Sequence, residues 1–186
     1  MEKYNNVLIF YKEFIKIEQI MRKGWIISNV PAERLESVGD HTLQLIMLAS
    51  VITKEFGISF DNKKLIDMLL MHDIGEIVIG DISDTEVDVH DKKSKEAAAV
   101  KSLLSNLSAE NAEYYYALWA ELKARDTEMA KFAYMLDKID AVIKSRIYED
   151  EYNVDGLFDE FVTFQRTKGT FDNGVLEDFF SYLTNE

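Results

Sequence analysis

Two of the three histidines in this chain stand where helical spacing would bury them. His41 lies three residues after Val38 and four before Leu45, and His72 lies four residues after Met68. Apolar residues at these intervals share one face of a helix. A single histidine on such a face is usually a hydrogen-bonded core residue, but two of them could also bring imidazole nitrogens to a metal ion.

Two aspartates occupy comparable positions. Asp73 follows His72 directly in the segment MHDIGE, and Asp137 lies on the apolar side of the segment EMAKFAYMLDKIDAVIK. A carboxylate packed among apolar side chains is costly unless a partner neutralises its charge. A divalent cation would neutralise both aspartates, whereas for Asp137 alone an ion pair with Lys138 or Lys144 is the alternative.

Together His41, His72, Asp73 and Asp137 would supply two nitrogen and two oxygen ligands. The chain has no cysteine, so thiolate ligands are excluded. This ligand set suits Mn, Co, Fe, Zn or Mg and leaves positions for water and substrate. We predict one divalent metal ion, because His90, expected at the surface, is the only further histidine for a second ion.

The elements that would position these ligands are helices. The chain has one proline and eight glycines among 186 residues, so long helices are favoured over many short strands. We predict an all-α, single-domain bundle of about six to eight helices, with a loop from Lys23 to Arg34 and a polar loop over 79–91. The predicted helices cover about 4–21, 36–56, 61–75, 92–106, 109–124 and 127–149, followed by two weaker helices within 155–184, broken near Gly169 and Gly174.

Charge and hydropathy restrict the partners. The net charge of −13 repels a nucleic-acid backbone, so we expect no polymeric nucleic acid as a partner. A small anionic substrate would need a metal ion or local Arg or Lys side chains to offset that repulsion. The N-terminal segment does not resemble a signal peptide, and no apolar run approaches the length of a membrane span, which predicts a cytoplasmic protein without membrane contact.

The pattern His41, His72-Asp73 and Asp137 resembles the H…HD…D signature of the HD-domain superfamily of metal-dependent phosphohydrolases. Several segments also occur in the order typical of its 5′-deoxynucleotidase branch. These segments are RKGW (22–25), ESVGDH (36–41), HDIGE (72–76), GDI (80–82), the downstream KEAAA, LWAEL (118–122) and FAYMLDKIDAVIKSRIYE (132–149). The resemblance covers about residues 10–150 of a single domain spanning 1–186 and leaves a helical tail, about 151–186, unmatched.

This resemblance implies hydrolysis of deoxyribonucleoside 5′-monophosphates to deoxynucleoside and phosphate by a metal-activated water, and commonly a homodimer. By position, the four residues of the signature are the metal ligands. Glu76 and Asp81 match the acidic catalytic pair, Arg22 resembles the arginine that meets the phosphate, and Trp25 resembles a wall of the nucleotide pocket.

The spacing of the two acids is compatible with these roles. Glu76 lies four residues after His72, so both should point to one side of a helix, where Glu76 could orient or deprotonate water at the metal. Asp81 follows Gly80 in a loop and could take the water's proton or protonate the leaving 5′ oxygen. Structural alternatives are a salt bridge or a hydrogen bond to a metal ligand for Glu76 and a loop cap for Asp81.

The chain departs from the family pattern at two places. Gly39-Asp40 replaces the Ala-Glu that often precedes the first ligand, which we expect to leave metal binding unchanged. The segment SDTEVDVHD after GDI is short and acidic, so base preference and the requirement for deoxyribose stay open. Two alternative functions also remain: a phosphodiesterase or hydrolase of another small phosphate ester, and a non-catalytic metal-binding module.

Overall fold

The computed structural model describes residues 2–82, 89–171 and 174–184, and over these ranges it contains α-helices and no β-strand. The described helices are α1 Glu2–Phe14, α2 Lys23–Ile27, α3 Val38–Glu55, α4 Asn62–Met71, α5 Glu76–Ile79, α6 Val89–Leu104, α7 Ala109–Ala124, α8 Glu128–Tyr152, α9 Leu157–Lys168 and α10 Val175–Leu183. The all-α prediction is confirmed. The number of described helices slightly exceeds the predicted six to eight, because α2 and α5 have only five and four residues.

The start of α3 is fixed by a reciprocal cap. The Ser37 hydroxyl accepts a hydrogen bond from the Asp40 backbone N–H at 3.0 Å, and the Asp40 carboxylate accepts one from the Ser37 N–H at 2.9 Å. This arrangement satisfies N–H groups that a helix start otherwise leaves without partners. Hydrogen bonds from Ser37 lower the pKa of Asp40. The shorter acid in Gly39-Asp40 therefore serves as the cap of the helix that carries His41.

The elements that carry the predicted ligands pack directly on one another. Helices α3, α4 and α8 contact each other pairwise and share one hydrophobic core. Its most deeply buried members include Leu45 of α3, Met68 of α4 and Leu136 of α8. Full burial of such a side chain contributes about 1.5–3 kcal/mol. This shared core holds three distant parts of the sequence in a fixed arrangement around the candidate site.

The predicted helix over 61–75 ends earlier than expected. After Met71 the backbone hydrogen bonds join residues three apart, as in a 3₁₀ turn. The His72 N–H donates to the Leu69 carbonyl, and the Glu76 N–H donates to the Asp73 carbonyl. A β-carbon on Gly75 would lie 3.3 Å from the Val100 side chain, so α6 approaches this turn closely. His72 and Asp73 therefore lie in a turn between α4 and α5, and not inside a helix.

The N-terminal region also differs from the prediction. Helix α1 ends at Phe14 and a 3₁₀ turn, Ile15–Gln19, follows it. Residues 20–22 are then extended and pair with the segment before α3: the Arg22 N–H donates to the Glu36 carbonyl at 3.1 Å and the Val38 N–H to the Ile20 carbonyl at 2.7 Å. This pairing places Arg22 beside the start of α3. The predicted loop 23–34 contains α2 and a short 3₁₀ turn.

The C-terminal tail packs on the body of the bundle. Helices α9 and α10 both contact α8, and Phe158 and Phe180 contribute to a core cluster with Ile139 and Val142 of α8. This packing supports the proposed assignment of residues 1–186 to a single domain. Among the described residues, every helix is too short or too polar to cross a membrane.

Candidate metal centre

The structure brings His41, His72 and Asp73 together. One ligand atom from each of these side chains lies within 4.8 Å of the other two, and the centroids of the two imidazole rings are 5.1 Å apart. Both histidines are buried. The turn after α4 and the first part of α3 thus converge on one point.

Hydrogen bonds fix the orientation of both imidazole rings. His41 Nδ1 lies 2.7 Å from Asp140 Oδ2, and His72 Nδ1 lies 2.6 Å from the carbonyl oxygen of Leu69. Because these oxygens accept hydrogen bonds, each Nδ1 is protonated, so the neutral form of each ring has its lone pair on Nε2. Both Nε2 atoms are buried and make no hydrogen bond. Two buried imidazole nitrogens that make no hydrogen bond, with His72 Nε2 2.9 Å from Asp73 Oδ2, fit a divalent cation.

Asp137 joins this cluster through His41. Its Oδ1 lies 3.1 Å from His41 Nε2, and its Oδ2 lies 2.7 Å from Lys138 Nζ. The contact with His41 lacks hydrogen-bond geometry at Nε2, as is common for two ligands of one ion. The ion pair with Lys138 considered from the sequence also exists. One carboxylate oxygen of Asp137 therefore pairs with Lys138, and the other lies beside His41.

Charge interactions in the cluster hold both aspartates ionised. Burial opposes ionisation of Asp73, but the adjacent His72 lowers the pKa of that carboxyl well below its usual range. Burial likewise opposes ionisation of Asp137, and Lys138 and His41 lower its pKa. Burial and Arg22 would lower the pKa of His41, but its contacts with Asp137 and Asp140 raise that pKa to about 9. A cation at Nε2 would compete with this additional proton.

Glu76 begins α5 beside the cluster. Its Oε2 atom is buried and has no hydrogen-bond partner. Burial, together with the negative charges of Asp73 and Asp81, raises the pKa of Glu76 well above its ordinary value. The prediction that Glu76 and His72 share one side of a continuous helix was wrong, because the turn at 72–75 separates them. Glu76 nevertheless lies close enough to Asp73 for their charges to interact strongly.

Asp81 contacts the N-terminal end of α2. It follows Gly80, whose positive φ of 76° favours glycine, and its Oδ2 accepts a hydrogen bond from the Lys23 backbone N–H at 2.7 Å. Lys23 is the first residue of α2, so Asp81 caps that short helix. The capping alternative is therefore realised, and the same carboxylate acts electrostatically on Glu76 and Arg22.

Arg22 lies between the acids of the site. Its Nη1 is 3.7 Å from Asp73 Oδ2, and its Nε is 3.9 Å from Glu36 Oε1. Burial would lower the pKa of Arg22, but the charges of Asp137, Asp73 and Glu36 outweigh it and raise the pKa. The guanidinium group is thus a cation held next to the candidate metal centre, where an anionic substrate would need one.

Trp25 is buried, with only 1% of its surface exposed. Its Nε1–H donates to Glu36 Oε1 at 2.7 Å, and its ring packs against Phe161 and Tyr148 with centroid distances of 4.7 and 5.1 Å. The structure therefore places Trp25 in the core behind Arg22. A contact between Trp25 and a nucleotide stays a prediction.

Comparison with known proteins places this arrangement in a family. A sequence model of the HD domain matches residues 15–177. The chain belongs to the HD-domain family. Curated relatives include the 5′-deoxynucleotidase HDDC2 of Mus musculus, 28% identical over 181 residues that cover 97% of this chain and 87% of that protein. The protein of the same name from Bos taurus is 29% identical and covers 97% of this chain and 85% of its own length.

Solved structures share the HD-domain fold. A protein from Pyrococcus horikoshii OT3 has a TM-score of 0.77 and 23% identity, covering 94% of this chain and 96% of its own. A predicted metal-dependent phosphohydrolase from Magnetospirillum magnetotacticum MS-1 has a TM-score of 0.75 and 23% identity, covering 99% of this chain and 92% of its own. The HD-domain fold thus accounts for almost the whole chain.

Two buried carboxylates at this HD-domain site were missed from the sequence. Asp140 is only 7% exposed and contacts His41. Its position three residues after Asp137, on the same side of α8, was the available signal. Glu36 precedes α3 and contacts Trp25, Arg22 and Lys144, and no pattern in the sequence indicated these contacts. The side chain of His90, expected at the surface, lies outside the described residues.

Proposed function

We propose that this HD-domain chain is a metal-dependent 5′-deoxynucleotidase that hydrolyses deoxyribonucleoside 5′-monophosphates to deoxynucleoside and phosphate. The observation that carries the proposal is the convergence of two buried Nε2 atoms, which make no hydrogen bond, on two carboxylates: His41 Nε2 lies 3.1 Å from Asp137 Oδ1 and His72 Nε2 lies 2.9 Å from Asp73 Oδ2. The buried Oε2 atom of Glu76, also without a hydrogen bond, lies beside them. Relatives that align over nearly the whole chain carry the name 5′-deoxynucleotidase.

The proposed ligands are His41, His72, Asp73 and Asp137, and the ion is one Co, Mn, Mg, Fe or Zn. When bound, such an ion lowers the pKa of water and offsets phosphate charge. The protein's own contribution is preorganisation, because each Nδ1 hydrogen bond keeps an Nε2 lone pair directed into the cluster. The low pKa values of Asp73 and Asp137 keep both carboxylates ready as ligands.

Glu76 is the residue best placed to handle a proton. Its Oε2 is free of hydrogen bonds, and burial together with the neighbouring Asp73 and Asp81 raises its pKa, so it holds a proton more readily than an ordinary glutamate. Hydrolysis requires one proton to leave the attacking water and one to reach the departing 5′ oxygen. We assign these transfers to Glu76 and Asp81 together. Separate Glu76→Gln and Asp81→Asn variants, assayed with an activated leaving group, identify the general acid. A leaving group that needs no proton should partly restore activity to the variant that lacks the general acid, and not to the other.

Arg22 is the proposed phosphate contact. Its guanidinium lies 3.7 Å from Asp73 Oδ2, so a phosphate at the cluster would be within its reach, and a guanidinium fork pairs well with phosphate oxygens. In a chain of net charge −13, a local cation of this kind offsets the long-range repulsion of the substrate.

We also propose that the protein forms a homodimer. Helix α1 exposes Tyr4, Val7, Leu8 and Tyr11, and apolar side chains grouped on one surface helix are typical of an interface. Sedimentation velocity of the whole chain measures its mass. A monomer at micromolar concentration would refute the homodimer without affecting the proposed reaction.

A substrate panel tests the proposed activity. Chelator-stripped protein is supplied with each metal in turn and assayed for phosphate release from deoxyribonucleoside and ribonucleoside 5′-monophosphates and for cleavage of a phosphodiester. We expect turnover of deoxyribonucleoside monophosphates with at least one metal and much less with the ribonucleotides. Cleavage of the diester alone would support a phosphodiesterase, and metal binding without turnover of any ester would support a binding module.

A further inference from the structure

The carboxylate of Asp140 lies directly behind the candidate metal ligand His41. Asp140 Oδ2 is 2.7 Å from His41 Nδ1, and both side chains are buried. We propose that Asp140 is a positioning residue for the metal centre, which fixes the His41 ring with Nε2 available to a cation and strengthens that nitrogen as a donor. This inference rests on the proposed metal centre and adds a residue to it.

The geometry of α8 makes Asp140 a partner of Asp137. The two residues are three apart, so they lie on the same side of the helix. They contact opposite nitrogens of one ring: Asp137 Oδ1 lies 3.1 Å from Nε2, and Asp140 Oδ2 lies 2.7 Å from Nδ1. Helix α8 therefore supplies one carboxylate to the cation side of His41 and one to the rear of the ring.

The two histidines of the cluster differ in the group that accepts the hydrogen bond from Nδ1. His72 Nδ1 donates to the Leu69 carbonyl, which belongs to the same turn, whereas His41 Nδ1 donates to a carboxylate from another helix. A carboxylate behind a ligating imidazole raises the basicity of the other nitrogen more than a neutral carbonyl does. Loss of Asp140 should therefore weaken His41 as a ligand and leave the orientation of His72 unchanged.

The same side chains do not form a second cation site. Glu36, His41 and Asp140 also place ligand atoms within 4.8 Å of one another. Lys144 Nζ, however, lies 3.0 Å from Glu36 Oε2, and Trp25 Nε1 donates to Glu36 Oε1 at 2.7 Å. Lys144 therefore neutralises Glu36, and His41 Nδ1 is already bonded to Asp140. These contacts make the three side chains a support for the metal centre instead of a second cation site.

Metal affinity measures this role directly. Chelator-stripped wild type, Asp140→Asn and Asp140→Ala are titrated with Mn²⁺ by calorimetry, and the absorption spectrum of Co²⁺ is recorded for each. We expect one ion per chain, a Kd raised about 10- to 100-fold in Asp140→Ala and by less in Asp140→Asn, and a changed Co²⁺ spectrum. Ser145→Ala removes another buried polar group of α8, whose hydroxyl donates to the Val142 carbonyl of the same helix, and should retain the wild-type Kd.

The outcomes separate this inference from the proposed function. Absence of Mn²⁺ and Co²⁺ binding by wild type would overturn the metal centre itself. Wild-type Kd and spectrum in a folded Asp140→Asn, or a loss of thermal stability without a change in Kd, would show that Asp140 is only structural. Two ions per wild-type chain would contradict the support role assigned to Glu36 and Lys144. Asp140→Asn has nearly the same volume as the wild-type residue, so it remains testable if Asp140→Ala fails to fold.

Discussion

Replacement of Glu76 by glutamine should make the protein more stable and far less active. The Glu76 Oε2 atom is buried without a partner, and the charges of Asp73 and Asp81 oppose its ionisation. A buried charge without a hydrogen-bond partner costs more than a neutral polar group in the same place, so the neutral amide should raise the free energy of unfolding by on the order of 1 kcal/mol at pH 8. The same change removes a proton-handling group, which typically lowers kcat about 10²- to 10⁴-fold.

The stability gain should depend on pH with a definite sign. Because the pKa of Glu76 is raised in the folded protein, the folded state retains a proton that the unfolded state releases, and wild-type stability falls as pH rises from the ordinary glutamate pKa towards the raised value. The stability of Glu76→Gln does not fall over this pH range for this reason, because its amide does not titrate. The two proteins should therefore unfold alike near pH 4 and diverge as pH increases.

Urea unfolding of chelator-treated protein at pH 4 and pH 8 measures the difference, and phosphate release with saturating Mn²⁺ measures kcat. Saturating Mn²⁺ should also reduce the stability difference, because a cation beside Asp73 offsets the repulsion. Glu128→Gln is the matched control, since Glu128 is exposed and its ion pair with Lys131 lies at the surface; it should change neither quantity. A Glu76→Gln variant that is less stable than wild type, or as active as wild type, would contradict the roles assigned to Glu76.

Three further substitutions test other parts of the structure. Arg22→Lys keeps the charge but loses the planar fork, so KM for a monophosphate should rise about tenfold, or ~1.4 kcal/mol, in steady-state assays; an unchanged KM would exclude Arg22 as the phosphate contact. Glu121 accepts hydrogen bonds from Lys64 and Thr127 at 2.9 and 2.8 Å, which lower its pKa. The ion pair of Glu121 therefore stabilises the folded protein above the ordinary glutamate pKa, and this stabilisation is lost as pH falls. Glu121→Gln should lower the free energy of unfolding by about 0.5–1 kcal/mol at pH 7 and leave it unchanged at pH 3, as measured by urea unfolding. An equal decrease at both pH values would contradict the ion pair. Ser37→Ala removes the cap of α3 and should lower the free energy of unfolding by about 1 kcal/mol; circular dichroism on heating measures it, and an unchanged transition would show that the cap contributes little.

Local signals in the sequence predicted the long helices well. Helix α7 was predicted over 109–124 and is observed over the same residues, and α8 begins at Glu128, one residue after the expected start. Here the boundary is marked by Thr127, whose hydroxyl accepts from the Ala130 N–H. Caps act over three or four residues, so a single sequence contains the information needed to place them.

Features set by long-range packing were not predictable. The apolar spacing of α4 continues past Met71, but the close approach of α6 to Gly75 accompanies a turn that the spacing does not reveal. Burial of Asp140 depends on its contact with His41, which is 99 positions away in the chain. The family resemblance indicated the cluster of ligands, whereas the hydrogen bonds behind it became visible only in three dimensions.

Residues from α3, the α4–α5 turn and α8 are proposed to hold one cation on which hydrolysis depends. The most direct measurement is phosphate release from a deoxyribonucleoside 5′-monophosphate during Mn²⁺ titration of chelator-stripped wild type, Asp73→Ala and Asp67→Ala. Asp67 pairs with Lys63 on α4, outside the cluster, and is the control. Activity should rise with one bound ion per chain in wild type and Asp67→Ala, and Asp73→Ala should neither bind the ion tightly nor turn over substrate. Undiminished turnover by Asp73→Ala, or by stripped wild type in excess chelator, would contradict the account.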